Sequence, residues 1–157
     1  MKRPQIPQEE INPEQVKNIL QFIDASQSEP VKKSIFSQLG RECFYARKLD
    51  AWIESYRGDV QAFLDRVNIQ QASKYWERLE FTEDRTKLIL TGRKVQGCAC
   101  AFAACAQPPP SLCQYCCKGF QQKLFGMLLG RKVEVDITES YLLGDERCST
   151  TVHLADE

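Results

Sequence analysis

Six of the eight cysteines in this 157-residue chain fall between Cys98 and Cys117, in the run CACAFAACAQPPPSLCQYCC. Three consecutive prolines, Pro108 to Pro110, stand inside it. Proline fixes its own φ and lacks the N–H that a helix interior or a central strand requires, so no regular element passes through this point. The thiols before the prolines therefore meet those after them only if the segment folds back on itself. Since thiolates are the ligands and nucleophiles of protein chemistry, such a meeting would carry function.

The pattern before the run is helical. Asn12-Pro13-Glu14 supplies a capping side chain and a proline at the first helical position, and Val16, Ile19, Leu20 and Ile23 recur at helical spacing to about Ala25. Ser28-Glu29-Pro30 opens a second helix with Val31, Ile35, Phe36, Leu39 and Cys43 on one face, and Gly40 predicts a bend in it. Leu49 to Tyr56 predicts a third helix, and Gly58-Asp59 opens a fourth. The period then shortens. Tyr75 to Phe81 and Lys87 to Thr91, around the polar tip Thr82 to Arg85, predict a hairpin. After the prolines, Ser111 is placed to cap a helix from Leu112 to Leu129 that Gly130 ends. Val133 to Thr138 alternates as a strand, Gly144-Asp145 turns the chain, and Cys148, Thr150, Val152 and Leu154 line one face of a last strand. The expected class is α+β: N-terminal helices packed on an antiparallel sheet of two hairpins with a long helix between them. One domain spans 1–157, with a flexible arm at 1–11 and a cysteine- and proline-rich loop at 94–111.

Composition narrows the function. Lys+Arg and Asp+Glu are both 21, with no basic stripe, so nucleic acid is not an expected partner. The opening MKRPQIPQEEIN has no apolar signal core and no stretch reaches membrane-span length, so a cytoplasmic protein with no membrane partner is expected. Thiols stay reduced there, which favours metal-binding, catalytic or buried cysteines over a disulfide framework.

The segment CCKGFQQKLFGMLLGRKVEVDITESYLLGDERC resembles the 4-vinyl-reductase-type small-molecule-binding domains, which share the fold of TRAPP subunits. The likeness rests on Leu129-Gly130, Val133-Glu134-Val135, Glu139, Gly144-Asp145 and Cys148 and extends over about residues 74–154. The cysteine loop and the Cys116-to-Gly119 helix start look like an uncharacterised bacterial branch near the L-2-amino-thiazoline-4-carboxylate hydrolase-like proteins. The resemblance implies a small-molecule ligand. Zinc-bearing relatives place a cysteine and an acidic residue where this chain has Ser140 and Ile137, so only Cys148 carries over.

Cys113, Cys116, Cys117 and Phe120 fall on one helical face, so at least two of these thiols are positioned to converge with Cys98, Cys100 or Cys105. Cys98, Cys100, Cys113 and Cys116, with Cys148 in reserve, are the expected metal ligands, and zinc the expected ion. The alternative is that they are small apolar core residues. A nucleophile is the other reading: Cys113 or Cys116 near a helix N-terminus, with His153, the only imidazole, as base. The functional expectation is a small-molecule-binding or sensory domain with a metal-holding cysteine cluster. A thiol-dependent hydrolase of a cyclic amidine or amide, and a TRAPP-like interaction subunit, remain open alternatives, as does a homodimer.

Overall fold

A computed structural model describes residues 12–69, 76–94, 98, 100–103 and 108–154. The expected arm at 1–11, Tyr75 and Cys105 lie outside these residues. Helix α1 (Pro13–Ser26) starts where the sequence places it, with Asn12 Oδ1 accepting the Glu14 N–H at 2.9 Å. Helix α2 (Glu29–Ala46) buries Phe36, Gly40 and Phe44, one residue per turn along a single stripe. Helix α3 is shorter than expected, Asp50–Glu54, because the chain turns from Ser55 to Gly58, where Gly58 takes φ 78°. Helix α4 (Val60–Asn68) is capped by Asp59, whose Oδ1 accepts the Ala62 N–H at 3.0 Å.

Strands β1 (Trp76–Phe81) and β2 (Lys87–Gly92) form the first hairpin, and β3 (Glu134–Glu139) and β4 (Ser149–His153) the second. Pairing of β2 with β4 joins them into one antiparallel sheet of order β1-β2-β4-β3. Leu88 and Leu90 of β2 lie opposite Val152 and Thr150 of β4, and Val135 of β3 completes the row. These side chains face the helices. The core between the layers holds Phe44, Ile53, Phe63, Phe125 and Leu128, all fully buried. Trp52, Trp76 and Phe125 pack edge-on or tilted around Phe63 there, which is aromatic core packing. Asn68 fastens α4 to the sheet edge: its side-chain amide donates to the Leu79 carbonyl at 2.7 Å and accepts the Leu79 N–H at 2.8 Å. An edge strand's backbone groups are thus partly satisfied by one side chain.

The segment after the prolines departs from the α-helix expected. Residues Leu112–Cys117 form a π-helical turn, and only then does α5 (Lys118–Leu129) begin, ending at Gly130 with φ 69°. Ser111 does not cap it: its backbone is already helical and its hydroxyl donates to Asp24 of α1. Gly40 is likewise not a bend. Helix α2 runs through it without interruption, and a Cβ there would lie 2.0 Å from the Cys116 carbonyl oxygen. Gly119 makes the reciprocal approach, with a Cβ position 2.5 Å from the Ser37 carbonyl oxygen. Two glycines therefore let α2 and the π-turn touch backbone to backbone.

Candidate functional site: a centre of three thiols

The π-turn distributes its cysteines to two sides. A π-helix carries more residues per turn than an α-helix, so the i, i+3, i+4 face expected for Cys113, Cys116 and Cys117 does not form as one stripe. Cys116 is buried with Leu20, Phe36 and Leu112, and its charge environment is set by Cys100, Cys43 and Arg47. Cys113 points instead to the far end of the second hairpin. There the Ser140 hydroxyl donates to Cys113 Sγ at 2.9 Å, and the Cys98 and Cys148 thiols are near enough to bear on the same group.

The expected set Cys98, Cys100, Cys113 and Cys116 is therefore split. Cys98, Cys113 and Cys148 meet; Cys100 and Cys116 lie with Cys43 on the α2 side. Cys148, assigned only a reserve role from the sequence, is central to the first group. Each of its three sulfurs takes one further donor: Cys98 Sγ from the Cys100 N–H at 3.5 Å, Cys113 Sγ from Ser140, and Cys148 Sγ from the Tyr141 N–H at 3.5 Å. Three separate stretches supply them: the loop, the π-turn and the residue leading into β4. Gly92 fixes the last of these, because a Cβ on it would lie 2.0 Å from the Cys148 carbonyl oxygen.

The proton positions follow from this geometry. Cys113 and Cys98 both direct S–H groups at Cys148, and with the Tyr141 N–H they hold its thiol well below the ordinary range. Donation to Cys148 pushes Cys113 up to about 12, despite its place early in a helical segment. Cys98 is raised as well by the neighbouring Cys113 and Cys148 thiols. The expectation that a helix N-terminus makes Cys113 the acidic thiol gives way, because a sulfur–sulfur hydrogen bond outweighs a partial dipole charge. Burial first, with the neighbouring Cys100 and Cys43 thiols adding to it, pushes Cys116 up to about 12. Cys117, half-buried beside the centre, is also raised by burial and takes no hydrogen bond among the described residues.

His153 is placed elsewhere. Its Nε2 meets Asp136 Oδ2 at 2.7 Å on the outer face of the sheet. Five residues of extended strand separate it from Cys148, about 16 Å. No Cys–His pair forms. Beside the thiols, an open cleft of about 490 Å³ is lined by Glu139, Gly144, Asp145, Glu146 and Arg147, the chain neighbours of Ser140 and Cys148. Asp145 is already engaged, accepting the Ser140 N–H at 2.7 Å, and Glu139 accepts the Ser149 hydroxyl.

Among the described residues, no group of three or more His, Cys, Asp or Glu side chains is set out around an ion-sized centre. In kind, the donors suit a thiophilic cation: sulfur with no imidazole or carboxylate among them. In number they fall short of the four that zinc takes in structural sites. Sequence reasoning missed Ser140 as a partner of the thiols.

With helices on one face of a four-stranded antiparallel sheet and a helix joining its hairpins, the chain is an α+β module of TRAPP-like fold. A solved structure similar to it is trafficking protein particle complex subunit 3 from Naegleria fowleri, covalently bound to palmitic acid. The two superpose with a TM-score of 0.56 at 12% identity, over 92% of this chain and 93% of that one. No protein-family model matches the chain, and no curated protein matches it. Among the described residues, no helix is long and apolar enough to cross a membrane.

Proposed function

We propose that the chain is a non-catalytic binding module whose working part is a thiolate centre for a soft cation, built on Cys98, Cys113 and Cys148. The observation that supports it is that Ser140 and the next residue, Tyr141, donate to Cys113 Sγ and Cys148 Sγ at 2.9 and 3.5 Å, which brings a thiol of the π-turn and one from the segment before β4 to one place. Hydrogen bonds to sulfur stabilise the charged form that a metal needs, and such outer partners orient ligands. A binding ion would displace the remaining thiol protons to solvent as metal–sulfur bonds form.

The hydrolase reading draws no support from His153, which is engaged with Asp136. The interaction-subunit reading draws support from the TRAPP-like fold and from Ile19 and Phe22 of α1, 59% and 68% exposed. Size-exclusion chromatography with light scattering tests it, a stable oligomer being the supporting result. Metal analysis of protein purified without a histidine tag tests the thiolate centre. One thiophilic ion per chain is expected, lost in Cys148→Ser and kept in Cys43→Ser. An ion-free protein that takes up no added soft metal would overturn the reading.

A further inference from the structure

Helix α1 turns an uncharged face to solvent. A surface helix normally shows charged side chains there, yet the exposed positions Gln15, Asn18, Ile19, Phe22, Ala25 and Ser26 carry none. The charged residues of α1 are engaged elsewhere: Glu14 with Lys17 at 2.7 Å, and Asp24 with the Ser111 hydroxyl. Ile19 and Phe22 stand in the middle of the face, 59% and 68% exposed, and Val31 and Ile35 of α2 are each 39% exposed. Half of the eight large apolar side chains exposed among the described residues thus fall on α1 and the first two turns of α2. The two helices share one buried cluster, in which Val16, Leu20 and Ile23 meet Phe36 and Leu39, so their outer sides adjoin. We infer that this face binds a second copy of the chain, with the two α1 helices antiparallel about a twofold axis between Ile19 and Phe22; this rests on the interaction-subunit reading above.

Three arguments select a second copy as the occupant. Gln15, Ile19, Phe22 and Ser26 recur at i, i+4, i+7 and i+11, the 3.5-residue spacing by which one helix packs along another. About the twofold axis, Ile19 of each copy lies on Phe22 of the other and Gln15 on Ser26, so the pattern is its own complement. Charge agrees with this. The α1 half of the face has no charge and the formal net charge of the chain is zero, so identical copies meet without repulsion. A charged partner would find nothing there to select it, whereas the core of a protein interface is depleted of charge and enriched in Phe. Size is the third argument. With 14 and 18 residues, α1 and α2 are about 21 and 27 Å long, and side by side they are about 20 Å wide. That gives roughly 500 Å² a copy and about 1,000 Å² in all, which reaches the lower end of specific interfaces.

The test is light scattering on the full chain in reductant, from about 10 μM to about 1 mM, the range in which an interface of this size associates. A mass that rises to twice that of one chain is the expected result. Phe22→Glu and Phe22→Lys should each raise the dimer Kd by more than about 30-fold, and mixing the two variants should restore the dimer, because position 22 lies near its own copy across the axis. Leu143→Ser, at a side chain 67% exposed in the turn between β3 and β4, should change nothing. Phe22 supports no core, so each variant keeps the melt of the unmodified chain, which is recorded alongside. Dimers that persist in both Phe22 variants overturn this face while leaving the interaction-subunit reading standing. A monomer throughout the range overturns the second copy as occupant together with the reading of the chain as a self-associating subunit, leaving the face to a different protein or to residues 1–11.

Discussion

Gly40 and Gly92 are spaces into which a neighbouring backbone fits. A methyl group on Gly40 would meet the Cys116 carbonyl at 2.0 Å, and one on Gly92 the Cys148 carbonyl at the same distance. The obstacle in both cases is main chain, which yields only if an element moves. Gly40→Ala is expected to destabilise the fold by about 2–3 kcal/mol through overpacking, measured by urea unfolding. Gly92→Ala is expected to act on the site as well, shifting Cys148 and weakening cation retention, while leaving the helical circular dichroism signal intact. Unchanged retention in Gly92→Ala would mean that the Cys148 backbone is not held by this contact. By comparison, Phe125→Ala empties a fully buried position against Phe63 and Trp76 and is expected to cost about 3–5 kcal/mol.

At the scale of elements, the β1–β2 turn carries a pH signature. Asp84 accepts from the Thr82 hydroxyl at 2.6 Å and from the Thr86 N–H and hydroxyl at 3.0 and 2.9 Å. These bonds, the Thr82 hydroxyl first, hold its carboxyl down to about 2 from an ordinary 3.8. A lowered carboxyl pKa stabilises the folded state above the unfolded value, and that contribution is lost as pH falls through the folded one. The hairpin is thus expected to weaken between pH 3.8 and about 2, and Asp84→Asn to remove this dependence, as read by acid titration of amide exchange. Most elements were legible in the chain because capping and period agree: Asn12-Pro13, Asp59 and Gly130 all act where the sequence puts them. The π-turn was not. Ser111 after three prolines reads as a cap, and only the tertiary hydrogen bond to Asp24 and the backbone contact with Gly40 show why the turn widens. That local misreading explains why the expected cysteine set divides between two places. The thiols on the π-turn were allotted by α-helical spacing, whereas Cys148, in the strand segment, was recognised through its surroundings.

For the whole molecule, the proposed ion, bridging loop, π-turn and sheet, would couple three parts of the chain that no disulfide joins among the described residues. Binding to the folded state alone stabilises it by mass action, about 2.7 kcal/mol at an ion concentration 100-fold above Kd. For a chain of this size, chelation of the loaded protein is then expected to lower Tm by about 5–10 °C. Calorimetry with and without chelator checks this, and a melt indifferent to chelator would count against the ion as a structural tie.

The widened turn between Pro110 and Lys118 also sets a phase. Each residue of an α-helix advances the chain by roughly 100°, so the surplus in that turn determines which way Cys113 looks relative to everything after Lys118. Excising a single solvent-facing position there, Gln114, would let the segment relax to ordinary winding while Phe125 and Leu128 kept their places. The sulfur would then be swung away from the Ser140 hydroxyl, leaving a chain that folds normally yet has lost its grip on any cation.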